Sequence, residues 1–193
     1  YPMKKTLLLS FALSLSLSMT AQYQHLPAKM KKSEGLLIEY ASYAQGHRLP
    51  VKTLVEAFGN SQRITQSNPE SSESQDNFPK EISFTDFSNQ KNIHLAQLRD
   101  GETVSSSTPF EYNKNLKVVG DTVFLGIPCK IAKTSINSNA IEIWYTDALK
   151  YYATPQPGYG IPQGTVLRVS RNNNYITEAT KITPQKKSKT LLP

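Results

Sequence analysis

The chain is predicted to fold as one mostly β domain, a single twisted antiparallel sheet built as a meander or half-barrel with few short helices. Three observations carry this. Short alternating or apolar runs recur at intervals of about 8–12 residues with turn residues between them, the pattern of consecutive antiparallel strands. Helix start signals are sparse along the 193 residues. Without an N-terminal leader about 170 residues remain, the size of one domain able to bury one core.

The leader comes first. Lys4 and Lys5 give a positive start, residues 7–17 an apolar run broken only by serines, and Met19-Thr20-Ala21 a small-residue exit. Residues 1–21 therefore read as a secretory signal peptide cut before Gln22. The run is shorter than the about 20 apolar residues that cross a bilayer as a helix. The mature chain is expected to be soluble and exported, periplasmic or secreted, and not an integral membrane protein. Tyr1 and Pro2 precede the first methionine and stay outside the fold reading.

Residues 22–34, polar and holding Pro27, are expected to be a mobile lead-in to a β-rich domain at 35–183. In 35–43, Leu36, Ile38 and Tyr40 alternate with Leu37, Glu39, Ala41 and Tyr43, which predicts a strand with one buried side. Residues 54–67 read as a strand or hairpin around Gly59-Asn60, with a short helix over 51–58 as the competing reading. Residues 67–77 are Ser-rich and acidic, too polar to offset their ordering entropy, and predict a loop.

Strands are expected at 81–87, 92–99 and 102–107, the last two joined at Asp100-Gly101. Residues 115–119 and 122–125 read as two strands, the first followed by a break at Gly120-Asp121 and the second by one at Gly126. Strands at 128–134 and 141–146 flank Asn137-Ser138-Asn139, and strands at 166–171 and 175–182 flank Asn172-Asn173-Asn174. Residues 146–151 carry a helix signal, with Thr146 or Asp147 as cap. Residues 152–163, with Pro155, Pro157, Pro162, Gly158 and Gly160, predict a rigid irregular loop. Residues 184–193 read as a basic tail whose abrupt end leaves open a longer protein.

The formal charge is +7, and Lys4 and Lys5 would leave with the leader. Much of the excess sits in Lys29, Lys31 and Lys32 and in the final segment, where charge runs are usually solvated. A nucleic-acid reader would set basic residues among stacking aromatics on a folded face, so no nucleic-acid partner is expected. Weak, unspecific attraction to anionic glycans or a membrane surface fits better.

Chemistry is hard to find. Cys129 is the single cysteine, so no internal disulfide forms, and a small buried hydrophobe is the favoured reading over a reactive thiol. No Gly-x-Ser-x-Gly turn is present. His25, His47 and His94 stand apart without helical metal-ligand spacing, and His94 is expected to face solvent. Gly158-Tyr159-Gly160 lacks the context of a dinucleotide loop, so no cofactor is expected. Glu39, Glu142 and Asp147 are the carboxylates a glycoside hydrolase could use if two met across a cleft. Trp144, Tyr145, Tyr151, Tyr152 and Tyr159 gather beside the Pro/Gly loop. Aromatics on strands usually fill a core, but those on a loop could line a groove for a lipid, peptide or glycan.

Residues 120–182 resemble the GLPGLI family of exported proteins. The likeness rests on Gly126-Ile127-Pro128-Cys129-Lys130-Ile131-Ala132, on Trp144-Tyr145-Thr146, and on Gly160-Ile161-Pro162-Gln163-Gly164-Thr165-Val166-Leu167, which has one extra residue before its second glycine. The resemblance implies a diderm bacterial envelope protein of unknown activity, with a curved sheet like that of lipoprotein carriers and no catalytic residues to transfer. On the residues themselves, Cys129, Ile131 and Lys133 share a strand face opposite Lys130 and Ala132. Trp144 lies opposite Ile141 and Ile143, exposed or under the 152–163 loop.

The expected function is a non-catalytic envelope protein binding a hydrophobic ligand or a protein partner. A structural or assembly module of a longer exported protein, and a hydrolase with dispersed carboxylates, are the alternatives.

Overall fold

The computed structural model describes residues 34–67, 80–159, 162 and 164–186. The predicted leader, the lead-in up to residue 33, the Ser-rich loop from residue 68 and the tail from residue 187 lie outside the described residues. Eleven strands follow in chain order: β1 Gly35–Ala44, β2 His47–Phe58, β3 Ser61–Ser67, β4 Lys80–Asp86, β5 Lys91–Gln97, β6 Thr103–Pro109, β7 Lys117–Phe124, β8 Ile127–Ile136, β9 Asn139–Thr146, β10 Thr165–Arg171 and β11 Tyr175–Gln185.

All pairings are antiparallel and form one sheet in the order β6-β5-β4-β3-β2-β1-β11-β10-β9-β8-β7. The first and last strands pair in the middle, from Gly35↔Gln185 to Ala44↔Tyr175. Two meander wings extend outward from that seam, and their outer strands β6 and β7 are consecutive in sequence. Only residues 110–116 join them, which can span at most about 29 Å from Pro109 to Lys117. Ten strand spacings laid flat would cover about 48 Å. The sheet therefore curls, bringing its two edge strands within reach of the connector.

The expected hairpins form where the side chains allow a primed turn. Asn137 and Ser138 (φ 48° and 63°), Asn172 and Asn173 (51° and 55°), and Leu125 with Gly126 (52° and 74°) all take positive φ at the two central positions. That twist matches the strands on either side.

Three local expectations are corrected. Residues 51–58 lie within β2, where Thr53, Val55 and Ala57 are buried in strict alternation, so the helix reading fails. The break at Gly120-Asp121 does not exist: β7 runs through both residues, with a register shift between Val118 and Gly120, and the chain reverses at Leu125-Gly126. Residues 147–151 bend without helix, because β9 holds the backbone extended to Thr146. Among the described residues the one helical turn is the 3₁₀ segment Pro157–Tyr159.

Leu36, Ile38 and Tyr40 are buried as the β1 alternation required. They join Val55, Ala57, Ile64, Leu167 and Ala179 in the main core cluster. Cys129, free and 3 % exposed, belongs to it as well. Burial pushes its thiol up to about 11, which keeps it protonated and unreactive at neutral pH. Ile141, Ile143, Val166 and Val169 form a second cluster. Each such aliphatic side chain contributes about 1.5–3 kcal/mol on burial. On another face a charge ladder crosses the strands: Lys52 and Lys181 hold Glu39, and Arg168 bridges Glu142 and Glu178. Its two lysines are open to solvent, so their pairs with Glu39 add little stability, whereas Arg168, Glu142 and Glu178 are partly buried.

Candidate functional site

Among the described residues, two stretches longer than a turn lie off the strands: the connector 110–116, and the excursion between β9 and β10, described at 147–159, 162 and 164. Residue chemistry fixes the second one. The Thr146 hydroxyl accepts from the Ala148 amide at 3.1 Å and turns the chain out of β9. Ala153 then runs beside Thr165, its N–H donating to the Gly164 carbonyl at 3.3 Å and its carbonyl accepting from Val166 at 2.8 Å. A side chain on Gly164 would place its Cβ 2.6 Å from the Thr146 carbonyl oxygen, so only glycine permits that approach.

Beyond Ala153 the excursion crosses to the other wing. The Thr154 amide donates to Oε1 of Gln62, a fully buried glutamine on β3, at 2.8 Å. Gln156 Nε2 donates to Thr177 Oγ1 on β11 at 3.0 Å. Leu149, Tyr151 and Ala153 pack into the main core cluster.

The connector meets the excursion through aromatic edges. Tyr152 stands 5.6 Å from Phe87 and 6.5 Å from Tyr112, while Phe110 touches both Phe87 and Tyr112, all four contacts edge-to-face. The Tyr112 hydroxyl donates to the Phe87 carbonyl at 3.2 Å. At its far end Asn113 reaches Thr134 on β8, and Leu116 packs on the second cluster.

Between these segments lies a groove of about 750 Å³, with Lys130 of β8 and Tyr145 of β9 among its lining. Tyr112 and Tyr152 give it aromatic walls, and Asn60 and Asn113 give it amides. Its charges are Lys114, Lys130 and Lys150 against Asp147. Lys130 Nζ lies 2.7 Å from Asp147 Oδ2. That hydrogen bond holds the Asp147 carboxyl below its ordinary range and raises the Lys130 ammonium.

Of the five aromatics singled out from sequence, the structure brings Tyr145 and Tyr152 to the groove. Tyr151 is buried in the core. Tyr159 packs on the second cluster, and its hydroxyl accepts from Arg171 at 3.0 Å. Trp144 lies against Phe124 (5.6 Å, edge-to-face) with the Arg168 guanidinium 4.4 Å over its ring, and its Nε1 donates to Glu142. Tyr112, Lys114 and Lys130 were missed. Their one sequence signal is an aromatic residue set in the polar connector between Pro109 and Asn113-Lys114-Asn115.

The candidate carboxylates do not converge. Glu39 is hydrogen-bonded by Lys52, which lowers its carboxyl; Glu142 is held by Lys133 and Arg168; Asp147 alone of the three lines the groove. His94 is exposed and bonded to Ser83 at 2.9 Å, and His25 lies outside the described residues. No group of metal-binding side chains occurs among the described residues, and no described helix is long and apolar enough to cross a membrane.

The family model described as "N-glycanase peptide, N-terminal domain" matches residues 38–192. The chain belongs to that family. Two solved structures of PNGF-II, in C2 and P21 space groups, are similar to it at 26% identity. They align over 80% and 81% of this chain with TM-scores of 0.69 and 0.70. The chain spans only 28% and 29% of those structures. A putative outer membrane lipoprotein-sorting protein domain from Vibrio parahaemolyticus aligns over 92% of this chain and 93% of its own at 8% identity, with a TM-score of 0.36. No curated protein matches the chain.

Proposed function

We propose that this chain is an exported, non-catalytic recognition domain that binds a polar ligand in the groove between the connector and the excursion. The observation that carries the reading is the groove itself: a space of about 750 Å³ that combines tyrosine rings with amides and ammonium groups. Such a lining suits a ligand with flat apolar patches and many hydroxyls. It suits an acyl chain poorly, since lysines and asparagines would lose hydration without new partners. Membership of a family described by an N-glycanase supports a glycopeptide as that ligand. The non-catalytic reading is supported by the groove carboxylate, Asp147, being engaged by Lys130 rather than facing a second acid.

Titrating the isotope-labelled protein with an asparagine-linked glycopeptide tests this. Amide shifts at Tyr112, Tyr145 and Tyr152 are expected, with the glycopeptide mass unchanged afterwards. Absence of shifts at millimolar ligand overturns the binding site; a released glycan overturns the non-catalytic reading.

A further inference from the structure

We infer that the groove selects a saccharide carrying a negative charge, a carboxylate or a sulfate, over its neutral counterpart; this rests on the reading of the groove as a binding site. Three ammonium groups line the space, Lys114, Lys130 and Lys150, and a single carboxylate, Asp147, opposes them. Asp147 is already committed to Lys130 at 2.7 Å. The balance left for a ligand is positive, in a chain whose overall charge is also positive. A concave site lined by one sign of charge concentrates ligands of the other.

The geometry favours a saccharide over an acidic peptide. An extended peptide that draws affinity from its main chain does so by adding to a free strand edge. The sheet strands that reach the groove, β8 and β9, are each paired on both sides. Recognition must therefore come from side chains, and those on offer are tyrosine rings and amides, which match the faces and hydroxyls of sugar rings. The Lys130–Asp147 pair has a further role. Both side chains are largely exposed, at 42% and 65%, so the pair is weak and Lys130 can exchange Asp147 for a ligand anion.

Calorimetry of the whole chain with sialyllactose, lactose and tetraglutamate, each with amide-shift mapping, tests the inference. Sialyllactose is expected to bind at the groove at least fivefold tighter than lactose, and 0.5 M salt should erase the difference. Asp147→Asn should tighten sialyllactose binding about threefold and Lys150→Gln should loosen it by about as much, the scale of an exposed ion pair. Equal affinity for lactose at the groove overturns the charge selection while the groove reading stands. Tighter binding of tetraglutamate overturns the saccharide. Failure of all three to bind overturns the charged-saccharide inference, and the glycopeptide titration above decides separately whether the groove reading stands.

Discussion

At the residue scale, the site depends on a glutamine that nothing local would single out. Gln62 is fully buried, and its side chain is satisfied at both ends. Its Oε1 accepts from Thr154, and its Nε2 donates at 3.1 Å to Thr85, whose hydroxyl passes on to Asn92 at 3.0 Å. Removing it strands the Thr154 amide in a dry setting, which costs about 1–3 kcal/mol, and leaves a void besides. Gln62→Ala should therefore lower unfolding stability by about 2–4 kcal/mol in urea; a loss under 0.5 kcal/mol would show that the excursion is held by other contacts. The sequence around Gln62 reads only as a strand with one polar residue on it. Its partner lies 92 residues away, and no local pattern encodes a contact across that distance.

At the scale of elements, much was legible. Alternation exposed β1, and turn residues placed the hairpins at Asn137-Ser138 and Asn172-Asn173, because both signals are local. The errors share one cause, namely that neighbours overrode a local signal. Gly120-Asp121 looks like a break, yet pairing of Gly120 with Ile131 and Asp121 with Lys130 keeps it in strand. Thr146 looks like a helix cap, yet its backbone pairs with Thr165. The groove was half legible: Tyr145 and Tyr152 come from the aromatic window, whereas Tyr112 and Lys130 reach it only because the sheet curls. The turn between β8 and β9 offers a test of the local logic. Ser138 sits at φ 63°, a conformation that costs a non-glycine residue about 1–2 kcal/mol. Ser138→Gly should raise stability by about 0.5–1 kcal/mol after glycine's own entropic cost, read as a higher urea midpoint with an unchanged slope. A lower midpoint would mean that the serine side chain supports the turn.

Across the whole molecule, a curled sheet with its termini paired at the centre divides stability unevenly. The seam is rich in buried groups: Leu36, Ile38 and Tyr40 on β1 face the core, Ala179 on β11 joins them, and the Tyr40 hydroxyl donates to the Val166 carbonyl at 2.6 Å. The outer wing is different. Every residue of β6 is exposed, and β5 holds no fully buried side chain. Little apolar area is lost when β5 and β6 open, so that wing should open far more often than the seam. Hydrogen exchange should show the β5–β6 ladder amides exchanging at least about 100-fold faster than those pairing β1 with β11, a gap of about 3 kcal/mol. The aromatic contacts of Phe110 with Phe87 and Tyr112 tie this wing to the connector and, through Tyr152, to the excursion. Phe110→Ala should therefore quicken β5–β6 exchange further, by about tenfold, while the seam amides keep their rates. Uniform exchange across both ladders would instead mean that the sheet opens as one cooperative unit, and the groove wall formed by the connector would then be as rigid as the core.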